Sequence, residues 1–249
     1  TTLFRADVEG ATEVRFEFAE RQMSVWLNVL PGLNRAECVF ELKNPRLWWP
    51  NGYGDQPLYD LTVCCGGQTE RRKIGLRELR VRNDRDEIGR SFEIEVNQVK
   101  IFAKGADWIP ADAFPQRRAA KLAGLLDSAR RANMNILRVW GGGQYESECF
   151  YEFCDQYGLL VWQDFMFACA LYPANDPFLA EVRAEANYQV SRLQHHACVA
   201  LWCGDNEVLG ALSWYEPSRK NRDLYVGNYL LVNRELERAV ADWDPDRLF

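Results

Sequence analysis

The chain reads as an all-β domain followed by a series of strand–helix units, and two observations carry that reading. Over residues 1–86 apolar and polar side chains alternate with period two in short runs separated by turn residues. From residue 87 onward short apolar runs alternate with stretches of helical period. A third observation says where chemistry belongs. Each apolar run of the second half ends in Trp and polar residues, at the carboxyl end of the expected strand, where α/β folds build their sites.

In the first half, Val14, Phe16 and Phe18 alternate with charges. So do Val25, Leu27 and Val29, then Cys38, Phe40 and Leu42, then Tyr59, Leu61 and Val63. Each set predicts a strand with one buried face. Pro31-Gly32, Asn44-Pro45, Pro50-Asn51-Gly52 and Gly66-Gly67 supply the turns. Several turn-separated strands in fewer than a hundred residues predict an immunoglobulin-like β-sandwich. The charged run Arg82-Asn83-Asp84-Arg85-Asp86-Glu87 is the expected boundary, giving domains 1–86 and 87–249.

Beyond it, Phe92, Ile94 and Val96 lead through an Asn97-Gln98 turn into 99–103, a hairpin. Four strand–helix pairs follow. Residues 104–108 precede a helix over 117–133 with Leu122, Leu125, Leu126 and Ala129 inward, and 136–140 precedes a helix over 146–157 stopped by Gly158. The strand 159–162 precedes a helix over 177–194, and 199–203 precedes one over 221–241. Four such units make a parallel sheet or half a barrel.

Composition narrows the function. Apolar residues at 47% and charged residues at 27% belong to a globular protein with a real core. The net charge of −6 argues against nucleic acid and anionic membrane surfaces as partners. No run approaches 18 apolar residues, so no transmembrane helix is expected. Thr1 stands where an initiator Met would, and the chain is read as an internal stretch of a longer protein. The eight cysteines lack paired zinc spacings and several sit in apolar runs, as reduced structural thiols do. His195, His196, Cys198 and Cys203 match no ligand pattern, so no metal and no cofactor is expected. Gly141-Gly142-Gly143 lacks both the dinucleotide and the P-loop signature, and reads as a sharp turn that leaves Trp140 facing a pocket.

The chemistry concentrates at the strand ends: Asp107-Trp108, Arg138-Val139-Trp140, Trp162-Gln163-Asp164 and Asp205-Asn206-Glu207. Taken singly, each Trp could cap a barrel and each acid could cap the next helix. Taken together, they are the positions from which barrel active sites are built. Nine Trp supply aromatic surface of the kind that lines sugar sites.

Five segments carry a resemblance: 47–54 (LWWPNGYG), 102–112 (FAKGADWIPAD), 134–143 (MNILRVWGGG), 161–167 (VWQDFMF) and 202–207 (WCGDNE). In this order they resemble the β-mannosidases of glycoside hydrolase family 2, over nearly the whole chain. The Trp-Trp-Pro-Asn-Gly turn is shared by other family 2 enzymes; the triple-Gly and Trp-Gln-Asp-Phe segments are similar to β-mannosidases rather than to β-galactosidases or β-glucuronidases. The resemblance implies an immunoglobulin-like domain plus the first four βα units of a (β/α)8 TIM barrel. It implies exo-hydrolysis of terminal β-linked mannose with retention and without a metal. Glu207 would be the general acid/base and Asn206 would bind the mannose 2-hydroxyl. Arg138 and Trp140 would shape the glycone site, Asp164 would be a hydroxyl ligand, and Trp108 and Trp214 would line the subsite.

Retention needs two carboxyls about 5–5.5 Å apart, one to protonate the leaving oxygen and one to attack the anomeric carbon. An acid in a Trp-lined, partly desolvated pocket holds its proton to higher pH. Two departures stand out. Asp205 replaces the family's more common Asn, so a carboxylate stands beside Glu207 or caps the next helix. The family's nucleophile is a Glu on a seventh strand, and this chain reaches only a fourth helix. The implied partners are a β-mannoside oligosaccharide and the remainder of the same polypeptide, with a homodimer of the parent and its compartment left open. Expressed alone, the 249 residues are expected to be inactive and, with two open strand edges, poorly soluble.

Overall fold

The computed structural model describes residues 2–249. They form two compact units, one of residues up to Leu47 with Pro57–Leu76, the other of Trp48–Gln56 with Arg77–Phe249. The sequence boundary expected at residue 86 thus falls ten residues into the second unit, and Trp48–Gln56 belongs to that unit as well.

The first unit is antiparallel throughout. β1 (Thr2–Ala6) pairs with β4 (Gly32–Ala36), and β2 (Gly10–Phe18), β3 (Arg21–Val29), β5 (Tyr59–Cys65) and β6 (Gln68–Ile74) form a second sheet in the order β3-β2-β5-β6. Val14 and Phe16 on β2 and Ala36 on β4 are buried together, with Val25, Leu27, Val63 and Phe40 against them. Two sheets therefore share one core. The expected strand over 38–42 is not one: its alternation of inward and outward side chains persists, yet the segment joins no ladder. The ladder partner is instead β4, whose sequence Gly-Leu-Asn-Arg-Ala carries no apolar alternation. Gly66 and Gly67, between β5 and β6, have φ of +54° and +79°, a two-residue turn that favours glycine.

In the second unit β7 (Leu79–Arg82), β8 (Glu93–Val96) and β9 (Val99–Ile101) form an antiparallel sheet. Asn97 and Gln98 turn it at φ of +50° and +67°. A four-stranded parallel sheet follows in the order β10 (Gly105–Trp108), β11 (Ile136–Val139), β12 (Leu160–Asp164), β13 (Val199–Cys203). Its helices are α1 (Pro115–Arg131), α2 (Glu148–Tyr157), α3 (Asp176–Leu193), α4 (Val208–Trp214), α5 (Glu216–Lys220) and α6 (Arg222–Trp243). Strands β11 to β13 are almost entirely buried, which is why they read as continuous apolar runs. Leu122 and Leu126 of α1 are inward as expected, whereas Leu125 is 42% exposed. The helices α4 and α5 were not expected; they fill the segment between β13 and α6.

The Trp-Trp-Pro-Asn-Gly turn ties this unit together. Trp48 is fully buried and its indole N–H donates to the Asp155 carbonyl at 2.7 Å. The Asn51 amide donates to the carbonyls of Arg130 and Met134, at the end of α1. Gly158 ends α2 at φ +71°, and a Cβ there would lie 2.6 Å from the Asn51 nitrogen.

At the start of β13 lies a buried charge cluster. His196 is 2% exposed; its Nδ1 sits 2.7 Å from Asp155 and its Nε2 3.1 Å from Glu148. Both ring nitrogens face carboxylate oxygens, which only the imidazolium satisfies as a double donor. Burial opposes that charge, but the two carboxylates outweigh it and raise the His196 pKa. The contribution of His196 is therefore full below about 6.5, the value of a free imidazole, and is lost as pH rises through the raised folded value. Burial pushes the Glu148 carboxyl up, yet His196, Arg192 and His195 draw it down to about 2, so its contribution is lost only as pH falls through that value. Urea midpoints at about pH 6 and about pH 9 check the first of these. The protein is expected to weaken at the higher pH by more than its His196→Gln variant, and parallel losses would contradict the assignment.

Candidate active site

Parallel pairing brings the strand ends level. Asp107 stands opposite Arg138 across β10 and β11, and Asp164 opposite Cys203 across β12 and β13. Arg138 is the organising group. Its Nε and Nη2 donate to the two oxygens of Asp164 at 3.1 and 2.8 Å, a bidentate pair, and Nη2 also donates to the Asn206 Oδ1 at 2.9 Å. Asp107 lies 3.8 Å from Nη1. Asp164 has no exposed side-chain surface and accepts a third bond, from the Gly141 N–H at 3.0 Å. Burial pushes its pKa up, against the pull of Arg138 and that N–H. The triple-glycine turn thus hydrogen-bonds an acid as well as turning the chain. A Cβ on Gly142 would meet the Trp140 ring at 2.0 Å, so the turn also seats that half-buried indole.

Beyond β13 the polar tetrad divides its work. The Asp205 carboxylate accepts the Val208 N–H at 3.0 Å, in the first turn of α4. Of the two readings of this departure, the helix-capping one matches the geometry. Asn206 is buried and is pinned by its backbone, its N–H donating to the Phe167 carbonyl and its own carbonyl accepting from Cys169, both at 2.9 Å. Glu207 is exposed and sits in the left-handed region at φ +57°, where a non-glycine residue is strained. Its Oε2 accepts from the Cys169 thiol at 3.4 Å, and the same sulfur accepts from the Asn206 amide at 3.3 Å.

Of the residues singled out from sequence, Arg138, Asp164 and Asn206 are in direct contact, and Glu207 joins them through Cys169. Trp108 does not join this cluster. Its indole donates to the buried Glu146 at 3.0 Å and its ring packs on Phe150. Trp214 is 48% exposed at the end of α4, over Gly210.

Two residues beside this cluster were not singled out from the sequence. Cys169 lies in an irregular loop with no periodicity to mark it. Trp162, quoted only within a motif, lines a cleft of about 830 Å³ together with Arg138, Asp107, Phe92 and Phe102. Its ring centroid lies 5.7 Å from that of Phe92, with the Arg138 guanidinium 5.8 Å from the Trp162 ring. The same cleft runs down to Gly105 and Ile136 at the amino ends of β10 and β11, and Asp164, Asn206 and Glu207 do not line it.

All eight cysteines are free. Glu148, His195 and His196, or Asp155, His196 and Cys198, could converge on a metal, their donor atoms lying within 4.8 Å of one another. Cys203 is not among them; its thiol donates to the Asp205 carbonyl. No helix among the described residues is long and apolar enough to cross a membrane.

Comparison with known proteins bears on the chain as a whole. Residues 6–77 match the family described as glycosyl hydrolases family 2. A β-mannosidase of Bos taurus is 41% identical over 98% of this chain and 28% of its own length. A probable β-mannosidase of Caenorhabditis elegans is 40% identical over 81% of the chain and 23% of its own. The chain thus spans about a quarter of the length of the curated relatives it matches. The crystal structure of a β-D-mannosidase from Dictyoglomus thermophilum superposes with a TM-score of 0.89 at 34% identity, covering 99% of this chain and 31% of that one. A β-glucuronidase of Bacteroides uniformis shares the fold alone, with a TM-score of 0.74 at 16% identity over 97% of this chain and 29% of that one. The chain is thus a homologue of the β-mannosidases, and its residues 6–77 carry the match to glycosyl hydrolases family 2.

Proposed function

We propose that the full-length polypeptide carrying these residues is a retaining exo-glycosidase that removes terminal β-linked mannose. The observation that carries this reading is the cluster of Arg138, Asp164, Asn206 and Glu207 at the ends of adjacent parallel strands. β-Mannosidase relatives about 40% identical over most of the chain support the choice of sugar. In this reading the strands β10 to β13 are the first four βα units of a (β/α)8 barrel, and the antiparallel sheets of the first unit are an immunoglobulin-like sandwich. Glu207 protonates the leaving oxygen. Asn206, its carbonyl held by Arg138, directs its amide to the sugar 2-hydroxyl. Asp164 fixes the guanidinium, and Trp140 and Trp162 supply apolar surface to the glycone face. The attacking carboxylate is assigned to sequence these 249 residues do not cover, which leaves the isolated chain with one half of a two-carboxylate device.

A panel of aryl glycosides tests the reading. The full-length polypeptide is expected to release aglycone from aryl β-mannoside well ahead of the β-glucuronide and β-galactoside, and the 249-residue chain from none of them. Preference for another glycone would overturn the substrate assignment; turnover by the isolated chain would place the nucleophile within it.

A further inference from the structure

We propose that Cys169 is a positioning residue for Glu207, an inference that rests on the acid/base role given to that glutamate. The thiol stands between the two residues that would meet the substrate, donating to Glu207 Oε2 at 3.4 Å and accepting from the Asn206 amide at 3.3 Å. Its place does not depend on those side-chain contacts. The Cys169 N–H donates to the Asn206 carbonyl, its own carbonyl accepts the Tyr215 hydroxyl at 2.9 Å, and Ala168 bridges Asn206 in the manner of a parallel strand. Cys169 and Glu207 are both held at positive φ, +51° and +57°. Two strained non-glycine residues whose side chains meet are better explained by the contact they make than by chain packing, since strain of this kind persists only where the surroundings enforce it.

The exposed Glu207 side chain would otherwise sample several rotamers. The thiol holds Oε2, leaving Oε1 to carry the transferable proton. That proton passes to the glycosidic oxygen as the bond from that oxygen to the anomeric carbon breaks with its electron pair. The resulting carboxylate keeps the S–H bond through Oε2, and the sulfur neither gains nor loses a proton. Because the same sulfur accepts from Asn206, the amide at the 2-hydroxyl and the acid at the leaving group are set relative to each other.

Leaving-group dependence reads this role directly, because a good leaving group departs without a proton. kcat/KM should be measured in the full-length polypeptide for a series from dinitrophenyl β-mannoside through phenyl β-mannoside to an alkyl β-mannoside. Cys169→Ala is expected to cost about tenfold on the alkyl substrate, the worth of a hydrogen bond to a charged group. The dinitrophenyl substrate should be nearly unaffected, and Cys169→Ser, which restores an O–H donor, should recover most of the loss. A uniform loss across the series, no loss, or a Ser variant no better than Ala would overturn the positioning role. Glu207→Gln in the same series separates the two claims. If it shows no leaving-group dependence the acid/base reading fails; if it does and Cys169→Ala does not, only the positioning role fails.

Discussion

Glu207→Gln in the full-length polypeptide is expected to lower kcat/KM for an alkyl β-mannoside by about 10²–10⁴, the range supplied by general acid–base catalysis. The amide keeps the size and the strained backbone of Glu207 but has no proton to give. The loss should shrink toward none as the leaving group improves. KM-dominated effects are not expected, because Glu207 protonates the leaving oxygen and adds no binding to the ground state. Unchanged rates on the alkyl substrate would remove Glu207 from the mechanism, whatever the similarity of its surroundings to β-mannosidases.

The second large effect concerns stability. Arg138→Met leaves the Asp164 carboxylate fully buried without its guanidinium partner, the Gly141 N–H still donating to it. Stranding a buried charge in this way costs about 3–5 kcal/mol. It should show as a marked fall in the urea midpoint of the transition that includes the parallel sheet. Asp164→Asn is expected to cost less. The Arg138 side chain is 28% exposed, so a guanidinium released from Asp164 can turn toward water and keep its bond to Asn206. If Asp164→Asn proved the more damaging change, the carboxylate would not be the buried partner whose charge needs compensation. In the proposed reading the same pair also sets the substrate contact, since the Asn206 side-chain carbonyl is held by the guanidinium that Asp164 orients.

Much of the second unit was legible because burial leaves a strong imprint. Strands β11 to β13 are enclosed on both faces and therefore apolar without interruption, and the four parallel strands and the long helices lie within a few residues of where the pattern puts them. The first unit was harder for the opposite reason. β6 is exposed along nearly its whole length and spells Gln-Thr-Glu-Arg-Arg-Lys-Ile, so its membership of the sheet rests on backbone pairing with β5, which leaves no period in the side chains. Around residues 38–42 the alternation is real but marks an extended segment covering the core without a ladder partner. The charged, turn-rich run at 82–87 joins two strands of one small sheet, β7 and β8, and so lies within the second compact unit.

At the candidate site, parallel register brings the strand-end residues Arg138 and Asp164 together, and Asn206, just past β13, meets the same guanidinium. Strand-end logic also collected Trp108, whose indole is committed to the buried Glu146, a pairing between residues 38 apart that no local pattern announces. It passed over Cys169, which is brought to Glu207 by a loop of irregular backbone. Residues placed by sheet geometry can be read from sequence; those placed by loops are found only once the chain is folded.

The most direct test of the acid/base assignment is rescue by an external nucleophile. In the full-length polypeptide Glu207→Ala leaves space beside the anomeric carbon once an activated aryl β-mannoside has mannosylated the enzyme, and azide should then restore turnover. NMR of the product is predicted to show β-mannosyl azide, the retained configuration. No acceleration by azide would contradict the assignment, and α-mannosyl azide would make Glu207 the nucleophile instead.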